Sequence, residues 1–249
     1  MNPLSGKVAL ITGGGTGIGQ AVAVALAKQG TRVVICGRRQ TPLDETVNLI
    51  EEAMGGNTHP GERVLTVQAD VSDQSQVDQL IQATIDAFGT VDILVNNAGI
   101  DGGDQIHQHD VSDWDRVLAI NLRGPFLMCR AVLPSMRSKQ SGHIINISSE
   151  SGVEYYEADG AYGVSKHALN ALGEYIQREN QDLGIRVDTV CPGMVVTEMT
   201  ENSPGLDHEK CLYSEDIADL VLWLLTRRQN IKIGAPILIQ TMENPWESN

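Results

Sequence analysis

Short runs of Val, Ile and Leu alternate along the chain with longer stretches whose apolar residues recur every three or four positions. Seven runs predict strands, at 8–11, 32–36, 63–68, 93–96, 143–147, 186–191 and 236–239. Most are continuous in apolar residues instead of alternating with polar ones. A strand covered on both faces has that pattern, which implies a parallel sheet between helical layers. The stretches between them predict helices at 17–29, 42–54, 73–88, 112–139, 161–183 and 214–227. In the last, Ile217, Leu220, Val221, Leu224 and Leu225 fall on one helical stripe. Asp73, Ser112 and Ser214 are candidate N-caps. Strand–helix repetition of this kind builds right-handed βαβ crossovers. The expected fold is therefore α/β: a doubly wound, mostly parallel seven-stranded sheet flanked by helices. Polar stretches at 55–61 and 101–110 read as loops, and nothing reads as a linker or repeat, so residues 1–249 are expected to form a single domain.

Charge narrows the function classes. Lys and Arg number 18 against 32 Asp and Glu, a formal net charge of −14. A surface this acidic repels phosphate backbones and anionic headgroups, so neither nucleic acid nor membrane is an expected partner. Apolar runs all fall short of the ~18 residues a bilayer span needs. The N-terminus lacks the basic start and apolar stretch of a signal peptide. Cys36, Cys129, Cys191 and Cys211 are widely spaced without a C-x-x-C pair, as expected for reduced thiols in a cytoplasmic protein.

Chemistry enters with the glycines. The first strand runs into Thr12-Gly13-Gly14-Gly15-Thr16-Gly17-Ile18-Gly19 and then a helix. Glycine there permits a tight turn and close approach of backbone to a pyrophosphate, and the helix N-terminus offers unpaired N–H groups. The spacing is wider than G-x-G-x-x-G, but its place between first strand and first helix favours dinucleotide binding. The second strand ends Cys36-Gly37-Arg38-Arg39 with no acid to take a ribose 2′-hydroxyl. Two guanidiniums suit a 2′-phosphate, so NADP(H) is favoured, with NAD(H) possible. The alternative is that both arginines only solvate a helix start.

Tyr162-Gly163-Val164-Ser165-Lys166 opens a predicted helix. A spacing of four puts Tyr162 and Lys166 on one face, about 6 Å apart along the axis. An ammonium near a phenol favours the phenolate, and such a tyrosine can exchange a proton with a carbonyl or alcohol oxygen. Taken alone, Y-x-x-x-K arises by chance in many helices.

Together these motifs resemble the short-chain dehydrogenase/reductase family, in its compact Rossmann-type form, over nearly the whole chain. The glycine loop matches T-G-x-x-x-G-x-G, and Asp70-Val71 matches the pair after the third strand. Asn96-Asn97-Ala98-Gly99 matches N-N-A-G, Asn121 the asparagine of the long fourth helix, and Ser149 precedes Tyr162 by the family's thirteen residues. Pro192-Gly193 with Thr197 matches P-G-x-x-x-T. The resemblance implies catalytic roles for Asn121, Ser149, Tyr162 and Lys166. Tyr162 would be the general acid/base, Lys166 would lower its pKa and hold ribose hydroxyls, Ser149 would bind the substrate oxygen, and Asn121 would position Lys166 and a relay water. It implies cofactor contacts at Gly13, Gly15, Thr16, Gly17, Ile18, Gly19, Arg38, Arg39, Asp70, Val71, Asn97, Ala98, Gly99, Tyr162, Lys166, Pro192, Gly193, Val195 and Thr197. Ser149, Ser151, Tyr155 and Tyr162 are the expected substrate contacts, and Glu150, Glu154 and Tyr156, between the serine and the tyrosine, are also expected to face the substrate.

Elsewhere the pattern is weaker. The family's V-D-G-G-like ending is missing after the last strand, where Gln240-Thr241-Met242-Glu243 stands instead. A short lid at 198–213 suits a small or polar substrate. Glu150, Glu154 and Glu157 would favour a cationic or hydroxylated substrate over an anionic one, unless they are simply solvated. Asp104, His107, His109 and Asp110 lack metal-site spacing, so no metal is expected. The helices at 112–139 and 161–183 are the family's pairing surfaces, implying a homodimer or homotetramer. The resulting expectation is an oxidoreductase interconverting a carbonyl and an alcohol (EC 1.1.1.-), with a small-molecule substrate. The rivals are a dinucleotide-sensing regulator, which would have no need of the Ser149–Tyr162–Lys166 set, and a dehydratase or epimerase using the same cofactor.

Overall fold

The computed structural model describes residues 2–55 and 63–246; the predicted loop at 55–61, apart from Gly55, lies outside the described residues. Seven strands form one sheet, all parallel: β1 (Val8–Thr12), β2 (Arg32–Gly37), β3 (Val64–Gln68), β4 (Ile93–Asn96), β5 (Gly142–Ile147), β6 (Ile185–Pro192) and β7 (Ile237–Ile239). Their order is β3-β2-β1-β4-β5-β6-β7. The chain winds outward from β1 to one edge, then returns and winds to the other. The helices that follow β1 and β2 lie on one face and those between β3 and β6 on the other, while the helix between β6 and β7 returns to the first face.

Pleating divides each strand between two cores. In β1, Ala9 and Ile11 join Val22, Leu26, Leu43, Ile50, Ile217, Val221 and Leu224. Those residues come from α1 (Gly17–Lys28), α2 (Gln40–Ala53) and α7 (Ser214–Leu225). Val8 and Leu10 face the other way, onto Val77, Leu80, Met128, Val132, Met136 and Ile176. This second layer is α3 (Gln74–Phe88), α5 (Gly124–Lys139) and α6 (Gly160–Asn180). The continuous apolar runs of the central strands thus reflect burial on both faces.

The helix predicted at 112–139 is not one regular helix. It divides into α4 (Val111–Leu118), a π-helical turn at Ala119–Arg123, and α5. A π turn widens the backbone ring by one residue, and nothing in side-chain periodicity announces it. By length and composition 111–139 could cross a membrane, contrary to the sequence expectation, but half of its most apolar window is packed inside the fold.

Three helix starts are set by a nearby carboxylate. Asp73 caps α3 as predicted, accepting from Ser75 N and Gln76 N at 2.8 and 3.3 Å, and the bonds from the Ser75 hydroxyl and the Gln76 amide, with these two backbone bonds behind them, hold its carboxyl down at about 2. Asp110, not Ser112, caps α4, because its Oδ1 reaches Ser112 N at 2.8 Å and Asp113 N at 3.1 Å. At α7, Tyr213 and not Ser214 is the cap, and its N–H donates to Asp216 Oδ2 at 2.7 Å. The four cysteines are free and buried.

Leu10 is fully buried in the central strand. Leu10→Ala should lower unfolding free energy by about 2–5 kcal/mol in urea titrations, with the m-value unchanged.

Candidate active site

The carboxyl ends of parallel strands all lie along one edge of the sheet, and their loops part where the winding reverses, between β1 and β4. A cleft of about 980 Å³ opens there.

Its floor is the glycine loop. Gly13 has φ +64°, and a Cβ there would lie 2.9 Å from Asn97 Nδ2 and 3.0 Å from Ala98 Cα. A side chain at Gly15 would meet Pro42 Cβ at 2.9 Å. Asn97 Nδ2 donates to the carbonyls of Thr12 (2.9 Å) and Gly13 (3.1 Å), while Thr12 Oγ1 accepts from Asn97 N and Ala98 N, both at 3.0 Å. The loop after β1 is thereby pinned to the loop after β4. Thr16 caps α1 with no side-chain bond, which leaves the first N–H groups of that helix without the usual capping acceptor. Gly13, Gly15, Thr16, Gly17 and Ile18 line the cleft. Gly19 does not; it is buried against the carbonyl of Gly13 and serves helix–loop packing instead of the expected ligand contact.

Arg38, Arg39, Asp70 and Val71 line one end of the cleft. Asp70 Oδ1 is engaged by Ser72 N at 2.9 Å and Ser72 Oγ at 2.7 Å. Arg39 forms a two-pronged pair with Glu198, NH1 to Oε1 at 2.9 Å and NH2 to Oε2 at 2.6 Å. Asn97, Ala98, Gly99, Pro192, Gly193, Val195 and Thr197 line the middle and far walls.

At the other end Ser149, Tyr162 and Lys166 come together. Ser149, at the end of the loop leaving β5, hydrogen-bonds the Tyr162 hydroxyl and accepts from Ser151 N at 3.2 Å. Tyr162 and Lys166 project from the first two turns of α6. The Lys166 ammonium lies 5.4 Å from the centroid of the Tyr162 ring and donates to Ile147 O at 3.1 Å. Burial lowers Lys166 to about 8. Burial also raises Tyr162 well above the ordinary phenol range, only partly offset by Ser149, and Asp101, Asp159 and Glu150 raise it further. This departs from the expectation of a phenol made acidic by Lys166: the cation sits over the ring, and burial together with three nearby carboxylates favours the neutral phenol.

Asn121 is fully buried inside the π turn, behind the cleft wall. Its side chain pairs with both backbone groups of Ile100, accepting from the N–H at 2.9 Å and donating to the carbonyl at 2.9 Å. Its Nδ2 also lies 3.1 Å from Ser165 Oγ, which donates to Tyr162 O at 2.6 Å. Asn121 thus braces the β4 loop and the start of α6, and its contact with Lys166 is indirect.

Among the substrate candidates, Ser151 lines the cleft. Tyr155 does not: it is 87% exposed and stacks on His167, with ring centroids 4.8 Å apart. Tyr156, the other tyrosine expected to face the substrate, lines the cleft, along with Asp101, Glu150, Glu157 and Asp159. Trp246 and Glu198 also line it and were absent from the sequence reading as site residues. The chain end reaches the lid through Asp207 N, which donates to Pro245 O at 2.9 Å. No local motif signals that approach, because the two partners lie on segments joined only through α7 and β7. Among the described residues no group of His, Cys, Asp and Glu is placed to hold a metal. His109 packs edge-on to Trp114, at 5.9 Å.

The family model for short chain dehydrogenases matches residues 7–205. An uncharacterized oxidoreductase of Staphylococcus epidermidis is 36% identical over 228 residues, covering 92% of this chain and 94% of its own. The crystal structure of levodione reductase superposes with a TM-score of 0.82 at 32% identity, over 89% of this chain and 91% of that one. A metagenomic short-chain oxidoreductase in complex with NADP superposes with a TM-score of 0.81 at 31% identity, over 97% and 100% of the two chains.

Asn121→Leu removes both partners of the Ile100 peptide groups at nearly constant volume. It should cost roughly 2–4 kcal/mol of stability by urea titration, the signature of unpaired buried backbone and not of lost packing.

Proposed function

The chain belongs to the short-chain dehydrogenase family of oxidoreductases, and from that premise we propose that it interconverts a carbonyl and an alcohol with a nicotinamide dinucleotide, NADP(H) in preference to NAD(H). The carrying observation is the hydrogen-bonded Ser149–Tyr162 pair beside Lys166, at one end of a cleft whose other end holds a glycine loop and Arg38.

The residues suit such a cofactor. Side chains at Gly13 and Gly15 would obstruct the loop, and the start of α1 offers N–H groups to a pyrophosphate. Arg38 at the end of β2 suits a 2′-phosphate, and the NADP bound by the metagenomic relative supports that choice. When bound, the nicotinamide would supply a hydride to the carbonyl carbon, or accept one from the alcohol.

The protein groups manage the proton. Ser149 and Tyr162 both donate to the substrate oxygen, and Tyr162 gives up its proton as negative charge develops there. Lys166, charged below about 8, stabilises the phenolate left behind, and its remaining N–H groups suit ribose hydroxyls. Asn121 acts as a positioning residue through Ser165 and Ile100. The neutral tyrosine favours carbonyl reduction as the direction in which the free enzyme is already correctly protonated. Asp101, Glu150, Glu157 and Asp159 favour a neutral or cationic substrate over an anionic one. Phe126 on α5, with Val164 and Tyr175 on α6, is exposed and supplies apolar surface for self-association.

Tyr162→Phe should abolish ketone reduction while leaving NADPH affinity unchanged by calorimetry; retained turnover would remove the assigned acid. Because Lys166 loses its charge as pH rises through about 8, kcat/KM for reduction should decline across that pH and stay level below it. In a panel of matched ketones, keto acids should show kcat/KM lower than neutral ketones by on the order of tenfold, and equal values would exclude the acidic-wall reading.

A further inference from the structure

The two arginines after β2 are not equivalent. Arg38 lines the cleft and carries no ion pair with Glu198, and its carbonyl accepts from Gln68 Nε2 at 2.7 Å. Arg39, beside it, spans the cleft to Glu198, which is 159 positions further along the chain. Glu198 follows Thr197 in the segment leaving β6, where the lid begins. Arg39 first, and the Thr16 hydroxyl of the glycine loop least, hold its carboxyl below the usual carboxylate range. A single carboxylate therefore touches the phosphate-binding loop and one of the two candidate 2′-phosphate ligands together. Those are the partners a cofactor anion would seek, and the bidentate geometry is the one guanidinium offers equally to carboxylate and to phosphate.

We propose that Glu198 is a specificity-determining residue: it is an internal anion that holds Arg39 closed across the cleft, and the 2′-phosphate of NADP(H) must displace it to recruit that arginine. NADH has no 2′-phosphate and can bind with the Arg39–Glu198 pair intact. Any competition at Thr16 is common to both cofactors, so the difference between them runs through Arg39 alone. The pair is exposed on both sides, 61% and 48%, so it is weak enough to be opened by a ligand phosphate. Glu198 thereby tempers the NADPH preference that Arg38 and Arg39 would otherwise confer. Opening the pair also frees the first residue of the lid, which ties cofactor choice to the substrate end of the cleft. The inference rests on the cofactor reading above.

Calorimetric titration of NADPH and NADH into the wild-type chain, Glu198→Gln, Arg39→Ala and the double variant tests it without turnover. Glu198→Gln should shift the ratio of NADPH to NADH affinity toward NADPH by about three- to fivefold, the scale of one exposed ion pair. In the Arg39→Ala background the same substitution should leave the ratio unchanged. An unmoved or reversed ratio in the single variant overturns the proposal, as does an equal shift with Arg39 absent, which would mean through-space repulsion. If neither cofactor binds any of the four proteins, the cofactor reading fails and this inference with it.

Discussion

Thr12 and Asn97 hold two loops that would otherwise part. Strand β1 pairs with β2 on one side and β4 on the other, and beyond their ends the chain turns to opposite faces of the sheet. The Thr12 hydroxyl takes the N–H groups of Asn97 and Ala98, and the Asn97 amide takes the carbonyls of Thr12 and Gly13. Four hydrogen bonds thus set the width of the cleft floor. They also explain why Gly13 tolerates no side chain: the space a Cβ would need is filled by Asn97 and Ala98. The glycine loop is positioned from both halves of the fold.

The proposed chemistry depends on burial more than on attraction between unlike charges. A tyrosine and a lysine placed close together in water would stabilise each other's charged forms. Here both are enclosed, and enclosure favours the neutral form of each, raising the phenol and lowering the ammonium. Asp101, Asp159 and Glu150 reinforce the first effect. The proposed acid is thus stored as an acid, and Ser149 aligns it. Positioning comes from behind, where Asn121 bonds to both peptide groups of Ile100 and, through Ser165, to the turn that carries Tyr162. The π turn at Ala119–Arg123 is the irregularity that accompanies this inward aim.

Much of this was legible in the chain. Continuous apolar runs gave the double-sided burial of the strands, because a period-2 face has no meaning where both faces are covered. The glycine loop and the Tyr162–Lys166 spacing were readable because each is a local geometry, set by a few consecutive residues. Most of the misses are non-local or subperiodic. Ser112 looked like a cap because hydroxyls cap helices, yet Asp110 takes the N–H groups of Ser112 and Asp113 and so starts the helix before that hydroxyl. A π turn keeps helical composition and so hides inside an apolar helix. Tyr155 and Tyr156 are neighbours with identical chemistry, and only the loop's path turns one to His167 and the other to the cleft. The Arg39–Glu198 pair joins residues that no spacing rule connects. The direction of the Tyr162 shift was misjudged because proximity along a helix reveals nothing of how deeply the pair is enclosed.

Of the three tryptophans, Trp114 stands beside His109 on α4, Trp223 lies under the Arg227 guanidinium on α7, and Trp246 borders the cleft. The chain therefore carries one indole donor at the mouth of its site and two at more distant positions. A reduced nicotinamide absorbs where indole emits, so energy transfer from Trp246 would quench its emission as the cleft fills. With the proposed cofactor, Trp246 would serve as an optical gauge of occupancy, readable without any label.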